Sequence, residues 1–517
     1  MGSPISAAHS KYNARMSRLL SQLLAALPHP FAAPAEDPVI TGITDDNRTV
    51  QPGNLFVAYK GVAVDAHRFI PDAIARGAAA VVAEAGCEGA SVPAVQVPNG
   101  REALAHLSAA WRDHPSRAMT VIGITGTDGK TTTSNLLFSI LRAAGHKAGM
   151  ISTVNAMIGD QTLETGLHTT TPKADDIQRY LAQMRDAATA YCVLEVTSHG
   201  LAQHRVDGVD FDLAIVTNIT HEHLDLHGTR EAYRAAKARL FEMARVHVLN
   251  VDDEYSFSHL ARLDSQRQLR YSREVQPSGA YADWWLFAPR SDAAGTIDAH
   301  GFRPGQRLPL PLTTQLTGAF NVSNVLAAST AALAMAIPID AIQRGVAAVG
   351  GVSGRMQRID AGQPYLAVVD FAHTPNSLQN CLTALRAITP SRLIVAFGCA
   401  GQRDVQKRPM MGAAADALAD VVILTAEDPR NESFDAICDE IVGGMTDKHA
   451  EVHRVMQRGE ALRLACSLAR PGDTVVACGK GHEQSLCFGA TEYAWDDRAA
   501  MRAAIQGRAL PLGPALT

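Results

Sequence analysis

The sequence predicts an α/β fold of three domains: a central parallel-sheet domain between a small N-terminal α/β domain and a C-terminal Rossmann-like domain. The chain has 517 residues, too many for a single hydrophobic core. Continuous apolar segments such as MTVIGIT and DLAIVTNI alternate with amphipathic helical segments, as in parallel sheets that are covered by helices on both faces. This alternation stops and then restarts after the glycine-rich segment GGVSG.

The order of these segments predicts domains at residues 1–115, 116–352 and 353–517. In the first, short segments with turn residues precede a helix and the strand AAAVVAEA. The third carries four further apolar strands, YLAVVDF, RLIVAFG, DVVILTA and DTVVACG. Residues 280–316 are rich in Asp, Pro and Gly, and predict a β-hairpin-like excursion of the central domain.

Composition and charge indicate which kinds of molecule the protein binds and which it does not. The formal net charge is −5 and no block of Lys and Arg occurs, so we expect small-molecule substrates and no nucleic acid. No apolar run approaches the roughly 18 residues of a membrane-spanning helix, so we expect no membrane insertion. The eight cysteines are scattered without a CxxC pair, which indicates reduced, buried thiols in a cytoplasmic protein. We expect a monomer.

The strand MTVIGIT runs into a glycine-rich segment that predicts a phosphate-binding loop. Glycines let backbone N–H groups turn toward an anion, and the N-terminus of the following helix adds positive potential. Lysine at the end of such a loop reaches the outer phosphates, and the next hydroxyl can bind Mg²⁺. The residues concerned are Gly126, Thr127, Asp128, Gly129, Lys130, Thr131 and Thr132. Because Ile124 replaces the first glycine of the strict P-loop pattern, an ordinary Gly/Thr-rich strand-to-helix turn is the alternative.

The next two strands end in side chains that suit a metal. Glu195 closes the strand TAYCVLEV, where a carboxylate beside a phosphate loop is well placed for Mg²⁺. His221, His223 and His227 follow the strand DLAIVTNI with HxHxxxH spacing and no cysteine, so we prefer one imidazole near Mg²⁺ and the phosphates to a zinc site. The helix after them carries Lys237, which composition alone indicates to be a surface lysine.

Ten motifs in a fixed order resemble the Mur ligases of peptidoglycan synthesis. The central part has GTDGKTTT, EVTSH, NITHEHLDLHG, YRAAKARLF and GAFNVSNVLAA, and the third has SGRMQRID, DFAHTPNSL, GCAGQRDVQKRPMMG, EDPRNES and GKGHEQ. The set is similar to the UDP-N-acetylmuramyl-tripeptide synthetase branch. The resemblance spans roughly residues 40–500. Ten motifs in a fixed order are far more specific for a family than any single motif.

The resemblance implies roles for the residues already singled out. Lys130 and Thr131 hold the ATP phosphates and Mg²⁺, and Glu195 and His223 belong to the metal shell. Lys237 is implied to be carbamylated, which turns a cationic amine into an anionic oxygen ligand for a second Mg²⁺. Lys130, His223 and Lys237 are thus the implied catalytic residues. Glu222 stands where the family usually has Asp.

The resemblance also implies two binding surfaces. The wall for the nucleotide base and ribose consists of Asn321, Asn324, Arg355, Asp370 and His373. The contacts of the UDP-muramyl dipeptide are Thr44, Asp46, Asn47 and Arg48 in the N-terminal domain, with Thr170, Thr171, Thr197, Gln203 and Arg205 in the central domain. A guanidinium suits a peptide carboxylate bidentately.

Residues of the third domain predict which amino acid is added. Diaminopimelate-adding members carry a DNPR motif, and this chain has Glu427-Asp428-Pro429-Arg430, with Arg403 and Glu483 as further contacts by similarity. Asp428 replaces Asn and puts negative charge in the acceptor pocket. Coulomb's law then favours an ammonium there, and so lysine or ornithine ahead of meso-diaminopimelate.

The implied reaction is ATP-dependent ligation through an acyl phosphate, with ATP and Mg²⁺ as cofactors. The substrate carboxylate of D-glutamate is phosphorylated, and the amine of the diamino acid then displaces phosphate. A folylpolyglutamate-synthetase-like ligase is the nearest alternative, although the N-terminal DDNR segment and HTTTP argue against it. A P-loop ATPase that is not a ligase leaves the EDPR and GKGHE segments unexplained.

Overall fold

The structure is a computed structural model that carries side chains. It describes residues 17–61, 64–159, 161–163, 170–220, 227–274, 285–291, 296–303, 306–446 and 449–508.

The N-terminal part is built on a four-stranded parallel sheet in the order β3-β4-β5-β6, preceded by a two-stranded antiparallel sheet, β1-β2. Asn99 caps the longest helix of this part by accepting from Arg101 N and Glu102 N. Its elements are β1 (Arg18–Leu19), α1 (Leu20–Leu24), β2 (Val39–Ile40), β3 (Gly42–Thr44), β4 (Asn54–Ala58), α2 (Ile70–Ala75), β5 (Ala80–Ala83), β6 (Ala94–Gln96) and α3 (Gly100–Trp111).

The central part contains an eleven-stranded sheet in the order β10-β9-β8-β11-β7-β12-β13-β14-β15-β16-β17. The strands from β8 to β15 in that order are parallel, while β9, β10, β16 and β17 run antiparallel to their neighbours. The elements are β7 (Thr120–Thr125), α4 (Lys130–Ala143), β8 (Ala148–Ile151), β9 (Ala156–Ile158), β10 (Gln161–Leu163), α5 (Ala174–Asp186), β11 (Tyr191–Glu195), α6 (Ser198–Ala202), β12 (Phe211–Val216), α7 (Arg230–Glu242), β13 (Ala244–Asn250), α8 (Glu254–Leu260), β14 (Arg267–Ser272), β15 (Trp285–Ser291), β16 (Thr296–Arg303), β17 (Gln306–Thr313), α9 (Ala319–Ala334) and α10 (Ile339–Ala347).

The third part has a six-stranded sheet in the order β18-β19-β23-β20-β21-β22, parallel except for β18, and a β24-β25 hairpin. Its elements are β18 (Gln357–Arg358), β19 (Leu366–Asp370), α11 (Pro375–Arg386), β20 (Leu393–Phe397), α12 (Lys407–Leu418), β21 (Val421–Leu424), α13 (Phe434–Val442), β22 (Glu451–Arg454), α14 (Arg458–Leu468), β23 (Thr474–Cys478), β24 (Ser485–Phe488), β25 (Thr491–Ala494) and α15 (Asp497–Ile505).

Both larger sheets are covered on their two faces, as the continuous apolar strands predict. In β7, Ile122 and Ile124 pack into one core cluster while Val121 packs into the cluster on the opposite face. Burying such a side chain contributes about 1.5–3 kcal/mol. The predicted α/β fold with three sheet-bearing parts is therefore confirmed, whereas the domain limits at residues 115 and 352 stay predictions.

Two sequence expectations concern cysteines and membranes. All eight cysteines are free thiols, and all are buried except Cys87, which is half-buried. Within the described ranges, no helix combines the length and apolarity needed to cross a bilayer.

Candidate active site

The phosphate loop lies between β7 and α4 and is shaped by two glycines. Gly126 has φ +151° and Gly129 has φ +84°, and both lie against other side chains. A Cβ at Gly126 would stand 1.8 Å from Thr217 Oγ1, and one at Gly129 would stand 2.3 Å from Asn324 Oδ1. No other residue type fits these positions without moving the loop or its neighbours.

The loop is held in place by the end of β12. Thr127 N donates to Asn218 O at 2.8 Å, Asp128 N donates to Asn218 Oδ1 at 3.0 Å, and Thr217 Oγ1 donates to Asp128 O at 2.6 Å. Lys130 begins α4 and its Nζ donates to Gly126 O at 3.0 Å and to Thr127 O at 2.8 Å. The ammonium group therefore lies over the loop, where a phosphate would meet both it and the helix N-terminus.

Glu195 ends β11 directly beside this loop and is fully buried. Its Oε2 accepts from Thr131 Oγ1 at 3.1 Å and from Thr153 Oγ1 at 2.8 Å. Burial raises the pKa of the Glu195 carboxyl, and the Thr153 hydrogen bond and the Lys130 charge oppose that shift. Its Oε1 is buried and has no hydrogen-bond partner among the described residues.

These donors fit Mg²⁺. A buried carboxylate oxygen without a partner, next to a threonine hydroxyl and a phosphate loop, offers the hard oxygen ligands that this ion prefers. Glu195 and Thr131 are the described residues that would hold it. His223, predicted for the same metal shell, and Glu222 fall in residues 221–226, which lie outside the described residues.

Lys237 is buried, which contradicts the surface position that composition indicated. It lies on α7, and its Nζ donates to Gly126 O at 2.7 Å and sits 4.6 Å from the centre of the Tyr233 ring. The hydroxyl of Tyr233 is 3.1 Å from Thr127 Oγ1. Composition could not place this lysine, because its burial depends on the packing of α7 against the phosphate loop.

Asn321 and Asn324 lie on the first turns of α9, against the start of α4. Asn324 Nδ2 donates to Asn321 Oδ1 at 2.9 Å, and Asn324 Oδ1 accepts from Thr133 Oγ1 at 3.4 Å. Thr132 is buried on the first turn of α4. The two amides are therefore next to the phosphate loop, and their role in a nucleotide wall stays a prediction.

The third part reaches the loop through Arg355. Its Nη2 donates to Thr131 Oγ1 at 3.2 Å, its guanidinium carbon lies 4.5 Å from the centre of the Phe371 ring, and its Nε is buried with no partner among the described residues. Asp370, at the end of β19, accepts from Met356 N at 2.6 Å and Ala372 N at 2.8 Å. Burial raises the Asp370 pKa although Arg355 opposes the shift.

His373 and Asn376 follow β19 on the same side. The imidazole of His373 packs on Phe371 with 4.4 Å between ring centres, and its Nδ1 lies 2.9 Å from Phe371 O. Asn376 Nδ2 donates to Asp128 Oδ2 at 2.9 Å, a second bridge from the third part to the phosphate loop. Asn376 was not predicted, although it lies inside the motif DFAHTPNSL.

The predicted muramyl contacts of the central part form one connected cluster. Thr171 Oγ1 donates to Glu195 O at 3.2 Å and is 3.0 Å from Thr197 Oγ1. Arg205 Nη1 donates to Thr171 O at 2.6 Å, and its Nη2 donates to Gln203 Oε1 at 2.8 Å. Thr170, also predicted as a muramyl contact, is half-buried. Glu195 thus touches the phosphate loop through its carboxylate and this cluster through its backbone carbonyl.

The predicted N-terminal contacts lie around the short 3₁₀ helix Asn47–Thr49. Arg48 forms a bidentate ion pair with Asp46, with Nη2–Oδ2 at 2.7 Å and Nε–Oδ1 at 2.9 Å, and Asn47 Nδ2 donates to Asp72 Oδ2 at 2.7 Å. Thr44 Oγ1 is 2.7 Å from Thr49 Oγ1.

This segment faces the central part through Asp45. Its Oδ2 accepts from Tyr59 OH at 2.7 Å and lies 3.6 Å from Lys173 Nζ. Lys173 immediately precedes α5 and lies two residues after Thr171. The N-terminal segment is therefore a neighbour of the threonine cluster.

The structure corrects the inference drawn from Asp428. Both of its oxygens accept from Lys480 Nζ, at 2.9 and 3.0 Å, and Oδ1 also accepts from Cys487 N at 2.9 Å. Because Lys480 already pairs with this carboxylate, the negative charge of Asp428 does not favour the ammonium of lysine or ornithine in the way that the sequence predicts. The sequence could not show this, because Lys480 is 52 residues away and arrives at the end of β23.

The other predicted acceptor contacts differ in their surroundings. Arg430 is half-buried, and its guanidinium forms no hydrogen bond or ion pair within the described part of the chain. Glu483 Oε2 lies 2.6 Å from Lys480 Nζ. Arg403 is exposed on a loop that is tied to the Asp428 loop, because Gly401 N donates to Asp428 O at 3.0 Å.

Comparison with known proteins agrees with this architecture. The family model of the Mur ligase family catalytic domain matches residues 39–112, that of the Mur ligase middle domain matches residues 124–332, and that of the Mur ligase glutamate ligase domain matches residues 354–481. Together they account for most of the chain.

Individual relatives cover nearly the whole chain. A UDP-N-acetylmuramyl-tripeptide synthetase of Roseiflexus sp. (strain RS-1) is 41% identical over 510 residues, covering 94% of this chain and 98% of that relative. A UDP-N-acetylmuramoyl-L-alanyl-D-glutamate–2,6-diaminopimelate ligase of Bacillus licheniformis is 38% identical over 496 residues, covering 94% and 99%.

A solved structure extends the likeness to the fold. That structure, also of a UDP-N-acetylmuramoyl-L-alanyl-D-glutamate–2,6-diaminopimelate ligase, superposes with a TM-score of 0.64 at 29% identity, over 95% of this chain and 99% of the other. The three family matches and these relatives show that the chain belongs to the Mur ligase family.

Proposed function

We propose that the protein is an ATP-dependent ligase that joins 2,6-diaminopimelate to the D-glutamate carboxyl of UDP-N-acetylmuramoyl-L-alanyl-D-glutamate. One observation carries the proposal. Glu195 contacts the phosphate loop through its carboxylate and the Thr171 cluster through its backbone carbonyl. A carboxylate substrate seated on that cluster would therefore stand next to the outer phosphate of a nucleotide seated on the loop, which is the arrangement that phosphorylation needs.

The reaction follows from this arrangement in two displacements. An oxygen of the substrate carboxylate attacks the γ-phosphorus of ATP, the bond to the β,γ-bridging oxygen breaks, and ADP leaves. The amine of the incoming amino acid then attacks the carbonyl carbon of the acyl phosphate, phosphate leaves, and the amine loses a proton. Lys130 would neutralise charge on the phosphate oxygens in the first step. Bound Mg²⁺ would supply further charge neutralisation at those oxygens.

Closure of the third part would protect the reactive acyl phosphate. Arg355 and Asn376 already contact Thr131 and Asp128 of the phosphate loop. A site enclosed by both parts excludes water, which would otherwise hydrolyse the intermediate.

Diaminopimelate is the proposed acceptor because of charge. The Asp428 carboxylate is paired with Lys480, while the Arg430 guanidinium has no hydrogen bond or ion pair among the described residues. Arg430 can therefore take a carboxylate bidentately, and diaminopimelate has a second carboxylate that lysine and ornithine lack. The names of the Bacillus licheniformis relative and of the solved structure specify the same acceptor.

We expect phosphate release from ATP to require the UDP-muramyl dipeptide and to be fastest with diaminopimelate. Phosphate release is measured with that dipeptide and with diaminopimelate, lysine or ornithine supplied separately. Losing the carboxylate that Arg430 binds should cost lysine and ornithine at least about tenfold in kcat/KM, since hydrogen bonds to a charged group contribute roughly 1.5–3 kcal/mol. A rate of ATP hydrolysis that does not change when the muramyl dipeptide is added would contradict the ligase proposal. Turnover with lysine but not with diaminopimelate would contradict the proposed amino acid.

We also propose that Lys237 acts as a carbamate. The Lys237→Ala variant should lose activity by about two to three orders of magnitude, as expected when a charged group near the phosphates is removed. Acetate or formate should restore part of the activity, because a small carboxylate can occupy the place of the carbamate oxygens. Lys237→Arg serves as the matched control, since it keeps the cation but leaves no cavity for the added anion. Equal activity of Lys237→Ala with and without acetate would contradict the carbamate.

A further inference from the structure

The Asp428 loop is built on a buried lysine. Lys480 has no exposed surface, and its Nζ lies 2.9 Å from Asp428 Oδ1 and 2.6 Å from Glu483 Oε2. Burial lowers the pKa of Lys480, but the charges of Glu483 and Asp428 outweigh burial and raise it overall. The lysine is therefore a cation between two carboxylates.

This ion triad also fixes the backbone that presents Arg430. Asp428 has φ +47° and Arg430 has φ +54°, which are left-handed conformations that cost non-glycine residues about 1–3 kcal/mol each. Asp428 is held by Lys480 and by Cys487 N, and Arg430 N donates to Cys487 O at 3.3 Å. The orientation of the Arg430 side chain thus depends on the segment that Lys480 anchors.

The charge of the pocket depends on the same lysine. Lys480 contacts both Asp428 and Glu483, and the buried carboxyl of Glu427 also acts on its charge. Without the Lys480 charge, Asp428 and Glu483 would both lose the cation that they share. An amino acid whose side chain ends in an ammonium without a carboxylate, such as lysine, would then be attracted to Asp428.

We propose that Lys480 determines which amino acid is added. By pairing with Asp428, it makes the pocket prefer an amino acid whose side chain carries a second carboxylate. The inference rests on the proposed ligase function and names its specificity-determining residue. Lys480 is a positioning residue here, since it acts through Asp428 and the loop of Arg430.

The test is the ratio of kcat/KM for diaminopimelate to kcat/KM for lysine. The ratio is unaffected by the fraction of a variant that is folded, because both acceptors meet the same active enzyme. In Lys480→Met the ratio should fall at least about tenfold relative to the unmodified chain. The double variant Asp428→Asn with Lys480→Met should recover part of the lost ratio, because only the Glu483 carboxylate then lacks its contact with Lys480.

Lys480→Gln provides a second variant that keeps hydrogen bonding to the carboxylates but removes the charge, and its ratio should fall in the same direction. Asp428→Asn alone is the matched control and should keep the preference for diaminopimelate. An unchanged ratio in both Lys480 variants, with kcat/KM reduced equally for the two acceptors, would overturn the assignment and leave only a structural role. Failure of the unmodified chain to ligate either acceptor would instead contradict the proposed function.

Discussion

Replacing Glu195 with glutamine is expected to abolish ligase turnover while raising the thermal stability of the ligand-free protein. The carboxylate is fully buried, and its Oε1 has no hydrogen-bond partner among the described residues. An ionised group in that position opposes folding, and a neutral amide of the same shape opposes it less. We expect a gain of about 1–3 kcal/mol in the free energy of unfolding.

The same substitution removes the anionic oxygen that would hold Mg²⁺. Turnover should fall by at least about three orders of magnitude, as when charge stabilisation at a phosphoryl group is lost. Thermal denaturation is measured with and without Mg²⁺ and a non-hydrolysable ATP analogue. The ligand should stabilise the unmodified protein more than the variant.

Glu195→Asp is the matched control, because it retains the charge but has a shorter reach. It should lose activity without gaining stability. A Glu195→Gln protein that is less stable than the original in the absence of ligands would contradict the view that the carboxylate is retained for binding rather than for folding.

The Asn376→Asp variant is expected to lose about two to three orders of magnitude in kcat/KM for ATP. Asn376 Nδ2 donates to Asp128 Oδ2 at 2.9 Å, and the substitution would set two carboxylates against each other at that distance. Repulsion between unit charges about 4 Å apart amounts to roughly 4 kcal/mol at the effective dielectric of a protein surface. The third part would then be pushed away from the phosphate loop.

The reversed pair Asp128→Asn with Asn376→Asp should restore most of that loss, because an amide again faces a carboxylate. Asp128→Asn alone should have a milder effect, since two amides can still form a hydrogen bond. Steady-state kinetics of the three variants form a double-mutant cycle. Equal losses in the single Asn376→Asp variant and the reversed pair would show that the bridge does not couple these residues.

The sequence predicts the proximity of side chains that follow adjacent strands, but it does not show proximity that depends on partners far apart in the chain. Lys130, Thr131 and Glu195 follow adjacent parallel strands, so their proximity follows from the rule that the carboxyl ends of such strands meet at one edge. The Asp128–Asn376 bridge joins residues 248 positions apart. No local pattern shows that Asn376 arrives there.

Asp428 illustrates the same limit more sharply. The sequence shows the Asp428 carboxylate but not its counterion Lys480, so the sequence argument assigns that charge to the recognition of the substrate. Pairing of buried charges is a property of the assembled third part rather than of the EDPR segment. The lysine of the GKGHEQ motif, which directly follows an apolar strand, is the sequence signal that points to a buried counterion for Asp428.

The two-sided role of Glu195 has a thermodynamic consequence. A muramyl peptide that moves the Thr171 hydroxyl shifts the same residue whose side chain meets Thr131. The free energy of placing one substrate then depends on whether the other is present, and reciprocity requires each to change the affinity of its neighbour by the same factor. Such coupling would suppress idle consumption of ATP in the absence of the peptide, without a dedicated regulatory site.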